Sequence, residues 1–389
     1  MSCPLEGVVS NDSASQGKAF PSIPITHSSW LTAHTSQLTA HGSRLIAHSF
    51  PSGNFLYLYR MFSVLPYDSR LEARWDRFVT SESVNGTFLQ TRRFLNYHPE
   101  GRFKDASFVL ESSGTIVAAF PGVLTAAGQW VSHQGSTFGG PVISKDFYTA
   151  ERIMNILEAA ENYLKGICKS IKMRPTSSLF SLESTALLEY VMEHGGYSRQ
   201  TELSAFCTLD PEKDPLDSCD KKCRAVFRKS LPYSLEYRDM SDAELPEFYR
   251  HLCVLESKFN TKPVHTLDEL LDLRHNRIAE EVKFRALWMR DPNDPQKQTF
   301  VAGMMLFDFA NVKARHAQYI APNEEITDFQ PTTAMYINVM REAAKDGIQK
   351  FSWGTSNGNK GGALNLPLFK FKESLGAKAM LNLIYSKDI

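Results

Sequence analysis

The sequence has little cysteine, no long apolar run and no surplus of charge. Six cysteines occur in 389 residues: Cys3, Cys168, Cys207, Cys219, Cys223 and Cys253. So few exclude a disulfide framework and fit reduced thiols. Cys219 and Cys223 stand four apart, but no second close Cys/His pair completes a zinc set, so no metal is expected. No apolar run is long enough for a spanning helix. No basic stretch followed by an apolar core opens the chain, so a secretory signal is not expected and the expected location is cytoplasmic. Charges balance at 43 Lys+Arg against 43 Asp+Glu. A dedicated nucleic-acid binder would carry a basic excess.

What is present is material for two cores. Hydrophobic residues make up 42% of the chain and aromatics 11%. The length suits two domains better than one. Residues 1–60 differ from the rest. They are rich in Ser, Thr and His and carry a repeat of seven, LTAHTSQ from Leu31, LTAHGSR from Leu38 and LIAHS from Leu45. His27, His34, His41 and His48 therefore fall in register. The tract could bind metal or form a short coiled coil, but each heptad offers only one Leu and one Ala to bury. The favoured reading is a tandem repeat translated upstream of Met61. Such a composition cannot offset its own ordering entropy, so a disordered extension is expected.

From Met61 onward, strand-like and helix-like segments alternate, the mark of an α/β fold with mixed sheets. A helix is expected over 70–80. Strands are expected over 107–111 and 115–121 around Ser113-Gly114, then over 129–133. The glycine-rich stretch GSTFGGP begins at Gly135. A long amphipathic helix over 147–164 should turn Ile153, Ile156, Leu157, Ala160 and Leu164 inward. A strand over 167–173, a helix over 182–194 and a strand over 200–209 complete this half. The polar link DPEKDPLD at 210–217 marks a boundary. The expected domains are 61–209 and 218–389. The second half repeats the order: a helix over 245–259, strands over 284–289, 300–309 and 313–320, a helix over 332–345, and strands over 348–353 and 379–385. A further helix falls within 363–375, ended by Gly376.

Four local segments then carry a likeness. They are Lys221-Lys222-Cys223-Arg224 with Arg228-Lys229, Lys262-Pro263-Val264-His265-Thr266 before Leu267-Asp268-Glu269-Leu270, Phe351-Ser352-Trp353-Gly354, and Phe371-Lys372-Glu373-Ser374-Leu375-Gly376-Ala377. In this order they resemble the Fem-like GNAT acyltransferases, a double GNAT fold related to the peptidoglycan-branching aminoacyltransferases. The likeness covers about residues 61–389. It implies two tandem GNAT-like domains and N-acyl transfer to an amino group of a cell-envelope polysaccharide or peptidoglycan-type precursor. It also implies acetyl-CoA as co-substrate, with aminoacyl-tRNA as the alternative donor, and a nucleotide-linked sugar or peptide as acceptor. A binding module that has kept the fold without catalysis is the reading from another class.

Acyl transfer to an amine needs a base, a group that stabilises the oxyanion, and two aligned substrates. No Gly-x-Ser-x-Gly elbow suggests a covalent nucleophile. His265, His316 and Glu256 are the candidate bases. The resemblance implies that Lys372 acts on the charge that develops during transfer. A lysine is a compact cation with three donors, suited to that role, whereas the alternative places Lys370 and Lys372 together on the surface. GNAT enzymes hold coenzyme A phosphates on a glycine-bearing loop before the long helix. In the second half that place reads Ala321-Pro322-Asn323-Glu324-Glu325, without glycine. In the first half Gly135, Gly139 and Gly140 could let backbone approach a phosphate, or could form a plain tight turn. The basic run 221–229, with Lys222 and Arg224, is either a phosphate grip or a solvated helix face.

Overall fold

The computed structural model describes residues 62–99, 101–134, 136–358 and 362–389. The seven-residue repeat and Gly135 lie outside the described residues. Strands β1 (Ser63–Pro66), β2 (Phe108–Ser112), β3 (Thr115–Phe120) and β6 (Val142–Ile143) form a small sheet in that order. The turn between β2 and β3 has Ser113 at φ 51° and Gly114 at φ 79°, the two positive angles that a tight hairpin of right-handed twist demands. Helix α1 (Glu72–Arg77) packs its Trp75 beneath this sheet, with the indole N–H donating to the Gln90 carbonyl at 2.8 Å. It is shorter than the periodicity predicts, because the chain tightens into a 3-10 turn before it and widens after it. A short helix α2 (Arg92–Leu95) follows.

The second sheet is continuous through both halves and has ten strands. From one edge these are β4 (Gly122–Leu124), β5 (Gln129–Ser132), β7 (Ser170–Met173), β14 (Lys378–Asp388), β8 (Ser198–Thr208), β13 (Lys350–Thr355), β12 (Ala314–Pro322), β11 (Asp294–Phe309), β10 (Val282–Asp291) and β9 (Leu235–Asp239). Two neighbouring pairs are parallel, β5 with β7 and β12 with β13. The others are antiparallel. Strand β14 lies between β7 and β8, so the last strand of the chain is hydrogen-bonded to strands that precede residue 209. Strand β8 pairs in turn with β13.

Helices cover this sheet because their apolar stripes need a face to bury against. Helix α3 (Ala150–Leu164) buries Ile153, Ile156, Leu157, Ala160 and Leu164, the five residues its periodicity picks out. Fully burying side chains of this kind contributes on the order of 10 kcal/mol before entropy is charged against it. Helix α4 (Ala186–His194) packs beside it through Leu188, Val191 and Met192. In the second half, α5 (Lys221–Arg228), α6 (Leu245–Ser257) and α7 (Leu267–Asp272) lead to α8 (Pro331–Lys345) and α9 (Leu366–Ser374). Helix α8 buries ten of its fifteen residues, since it lies on the sheet and also contacts α5. Below it Arg315 is fully buried and held by Asp308, Glu342 and Asp346, which satisfies a charge that would otherwise be costly there.

Candidate active site

The two parallel pairs set up the site. Strands β12 and β13 are paired at Ala314–Lys350, Arg315–Phe351 and His316–Ser352, and then part company. A bulge against Met305 and Leu306 redirects β12 at the same level, and a second against β8 lies between Ser352 and Gly354 of β13. The opening is a cleft of about 750 Å³. His316, Gln318, Gly354 and Thr355 line it, as do Arg174 just past the end of β7, Glu202 of β8 and Asn382 of β14. In the first half the corresponding opening is filled. Beyond the paired residues of β5 and β7, the Gly139 and Gly140 amides both donate to the Arg174 carbonyl, at 2.9 and 3.3 Å. A Cβ on Gly139 would stand 2.5 Å from Ser132. This loop is packed shut, and a 3-10 turn at Lys145–Phe147 separates it from α3, which begins later than the sequence suggests.

Lys372, on α9, is outside the cleft lining but bonds to two residues that form it. It is 3% exposed, and its ammonium donates to the carbonyls of Gly354 at 2.9 Å and Thr355 at 2.7 Å. Burial lowers its pKa to about 8. Lys370, two positions earlier, is exposed. His316 lines the cleft and shares a 3.0 Å hydrogen bond between its Nδ1 and the Ser352 hydroxyl. Burial, and then the nearby Lys372 charge, lower its pKa to about 4, so the ring is neutral at ordinary pH. With the proton on Nδ1 given to Ser352, the Nε2 lone pair is left for a substrate proton. Gly354 has φ 67°, and a Cβ there would come within 3.1 Å of the His316 ring. Glycine at this position thus serves both the backbone turn and the close approach of the histidine.

The other sequence-predicted residues are spread. His265 is 4% exposed, shares a 2.7 Å hydrogen bond with the Tyr319 hydroxyl and stacks on Tyr97 at 5.0 Å. It belongs to an aromatic cluster with His98, Phe103 and His133 and is outside the cleft lining. Burial lowers its pKa to about 4. Glu256 accepts a 2.5 Å hydrogen bond from Thr261 at the end of α6, also outside the lining. On α5, Arg224 donates to the Cys219 carbonyl at 2.6 Å, while Lys222 is exposed. In the loop before α8, Asn323 turns its amide to the Phe300 carbonyl at 2.9 Å, and Glu324 pairs with Lys258. Sequence reasoning did not single out Arg174, Glu202 or Asn382. A signal existed in the polar alternations Lys172-x-Arg174 and Gln200-x-Glu202-x-Ser204, which put polar side chains on one face of interior strands. Among the described residues no group of three or more His, Cys, Asp or Glu could hold a metal, and no helix is long and apolar enough to cross a membrane.

No protein-family model matches the chain, and no curated protein does. Solved structures do. FemX aligns over 84% of this chain and 97% of its own at 12% identity, with a TM-score of 0.61. A conserved protein of unknown function from Bacteroides thetaiotaomicron aligns over 85% of this chain and 100% of its own at 12% identity, with a TM-score of 0.50. A tandem GNAT protein of the clavulanic acid biosynthesis pathway aligns over 84% and 98% at 10% identity, with a TM-score of 0.49. At such identities the likeness concerns fold alone. This chain has the Fem-like double GNAT fold.

Proposed function

We propose that this protein is an N-acyltransferase whose acyl donor enters where β12 and β13 part, and whose acceptor is an amino group of a cell-envelope polysaccharide or peptidoglycan-type precursor. The observation that carries this reading is the buried ammonium of Lys372 bonded to Gly354 and Thr355, two β13 residues that line the cleft. Holding a cation there costs about 3 kcal/mol if its pKa falls from 10.5 to about 8. Its two backbone hydrogen bonds offset part of that cost, and a perturbed cation bonded to cleft-lining residues is a mark of functional sites. The first half's opening is packed by Gly139 and Gly140, which favours the second half as the donor site.

In this reading the amine lone pair attacks the acyl carbonyl carbon. The new C–N bond forms, the C–S bond of a thioester donor breaks, and the amine proton passes to His316 Nε2 and on to solvent. The thiolate then takes up a proton. Lys372 steadies the negative charge on the carbonyl oxygen, a contribution of about 3 kcal/mol for one well-placed donor.

The donor favoured by the fold is acetyl-CoA. One observation favours aminoacyl-tRNA instead: the loop before α8 has no glycine and carries Glu324 and Glu325, while Lys221, Lys222, Arg228 and Lys229 are exposed on and beside α5. Thermal-shift titration with acetyl-CoA, CoA and UDP-linked amino sugars tests the reading. A bound ligand at 100 times its Kd adds about 2.7 kcal/mol. Stabilisation by acetyl-CoA and by an amino sugar, each lost on filling the cleft with Gly354→Trp, supports it. No shift from either contradicts it.

A further inference from the structure

The cleft has a feature that donor binding does not use. Strand β14 enters between β7 and β8, and this brings Glu202 and Asn382 directly opposite each other across the β8–β14 ladder. Both line the cleft, and they are 8% and 5% exposed. Arg174 holds Glu202 through two hydrogen bonds of 2.7 and 3.2 Å, which fixes the carboxylate but uses only part of its acceptor capacity. The Oδ1 of Asn382 is buried and has no hydrogen-bond partner. A buried, unpartnered carbonyl oxygen is costly and calls for a donor that arrives from outside. The Glu202 carboxylate and the Asn382 Oδ1 together present acceptors, beside the Arg174 guanidinium that neutralises part of the carboxylate's charge, and a primary ammonium offers three donors and a positive charge.

We propose that Glu202 and Asn382 form the subsite that receives and orients the acceptor's amine. The proposal rests on the acyltransferase reading for its consequence, but not for its binding test. The ammonium donates one N–H to a Glu202 oxygen and one to Asn382 Oδ1. The third points into the cleft, where loss of its proton to solvent frees the lone pair and leaves His316 to take the proton released when the C–N bond forms. Lys172, two residues before Arg174 on β7, also lines the cleft, and no ion pair to it is found among the described residues. It gives the acceptor's anionic group a partner. Along β14 its row, at Ser386, lies four residues from Asn382, about 13 Å at the usual rise of a strand. The subsite therefore suits an amine several bonds from a carboxylate or phosphate, and disfavours an α-amino acid, whose two charges are adjacent.

Equilibrium binding to the full chain, measured by calorimetry, tests this with two pairs of probes. Nα-acetyl-lysine is compared with N-acetylnorleucine, and glucosamine 6-phosphate with glucose 6-phosphate. In each pair only the first carries the amine, and the two pairs separate a carboxylate source from a phosphate source. At least one amine probe is expected to bind ten-fold or more tighter than its amine-free partner. Glu202→Gln and Asn382→Ala are each expected to erase that preference while leaving the amine-free probe unchanged. Asn382→Ala serves if Glu202→Gln destabilises β8. A preference that survives both substitutions overturns the proposal, and so does the lack of any amine preference in the unmodified protein up to about 10 mM probe. Amine-selective binding without acyl transfer would sink the acyltransferase reading and keep the subsite. Transfer that is indifferent to both substitutions would do the reverse.

Discussion

His98→Phe is expected to make the protein more resistant to acid. The His98 ring lies tilted against Tyr97 at 3.8 Å and stacks on His133 at 5.5 Å, with Phe103 edge-on at 4.7 Å. Neither of its ring nitrogens has a partner. Burial, and then the neighbouring His133, Arg102 and His265, lower its pKa to about 3. The sign follows from linkage. The folded pKa lies below the unfolded value of about 6.5, so stability is fully present above pH 6.5 and is lost as the pH falls toward 3. At about pH 5 the loss reaches 1.5 pH units at about 1.4 kcal/mol each, a ceiling of about 2 kcal/mol. His98 is only half-buried, so about 1 kcal/mol is the realistic figure after solvent screening. Phenylalanine keeps the ring stack and cannot titrate. Urea unfolding of both full-length proteins at about pH 7.5 and about pH 5 should show the variant gaining about 0.3 M in midpoint on acidification, at a slope near 3 kcal/mol/M. If the midpoint difference is the same at both pH values, the ring is not buried neutral and the reasoning fails.

Other outcomes follow from the same structure. Gly354→Ala should cost about 1–2 kcal/mol, read from the urea midpoint, because φ 67° and the His316 ring both oppose a Cβ; an unchanged midpoint would show that the turn relaxes freely. Transfer that depends on protonated Lys372 and neutral His316 should decline as the pH rises through about 8 and as it falls toward about 4; a rate that climbs through about pH 9 contradicts the role of the lysine. Removing residues 1–60 should leave the melting temperature within about 4 °C, a change that corresponds to about 3 kcal/mol for a chain of this size; a larger fall would give the repeat a structural part.

Most of the local structure was legible because it is set by periodicity. The five inward residues of α3 and the Ser113-Gly114 turn are written in spacing and in one glycine. Strand exchange was not, since the alternation in 378–388 is the same whichever neighbours β14 takes. The short strands β1, β4 and β9 escaped because a few residues carry too little pattern. Lys372 was reached through its family-like segment, and the helical spacing that links it to Phe369 is seen in the two buried residues of α9. The partnership of Arg174 with Glu202, and of Glu202 with Asn382, joins positions brought together only by the sheet.

The central claim is that Lys372 serves acyl transfer at the β12–β13 cleft, and its neighbour supplies the control. The measurement is single-turnover acyl transfer to the amine probe that binds best, with donor in excess, for the unmodified protein, Lys372→Met and Lys370→Met. Lys372→Met should lose about 100-fold or more in rate while it stays folded, and Lys370→Met should lose little. Equal, small losses in the two variants would contradict the account and leave Lys372 a structural tie between α9 and β13.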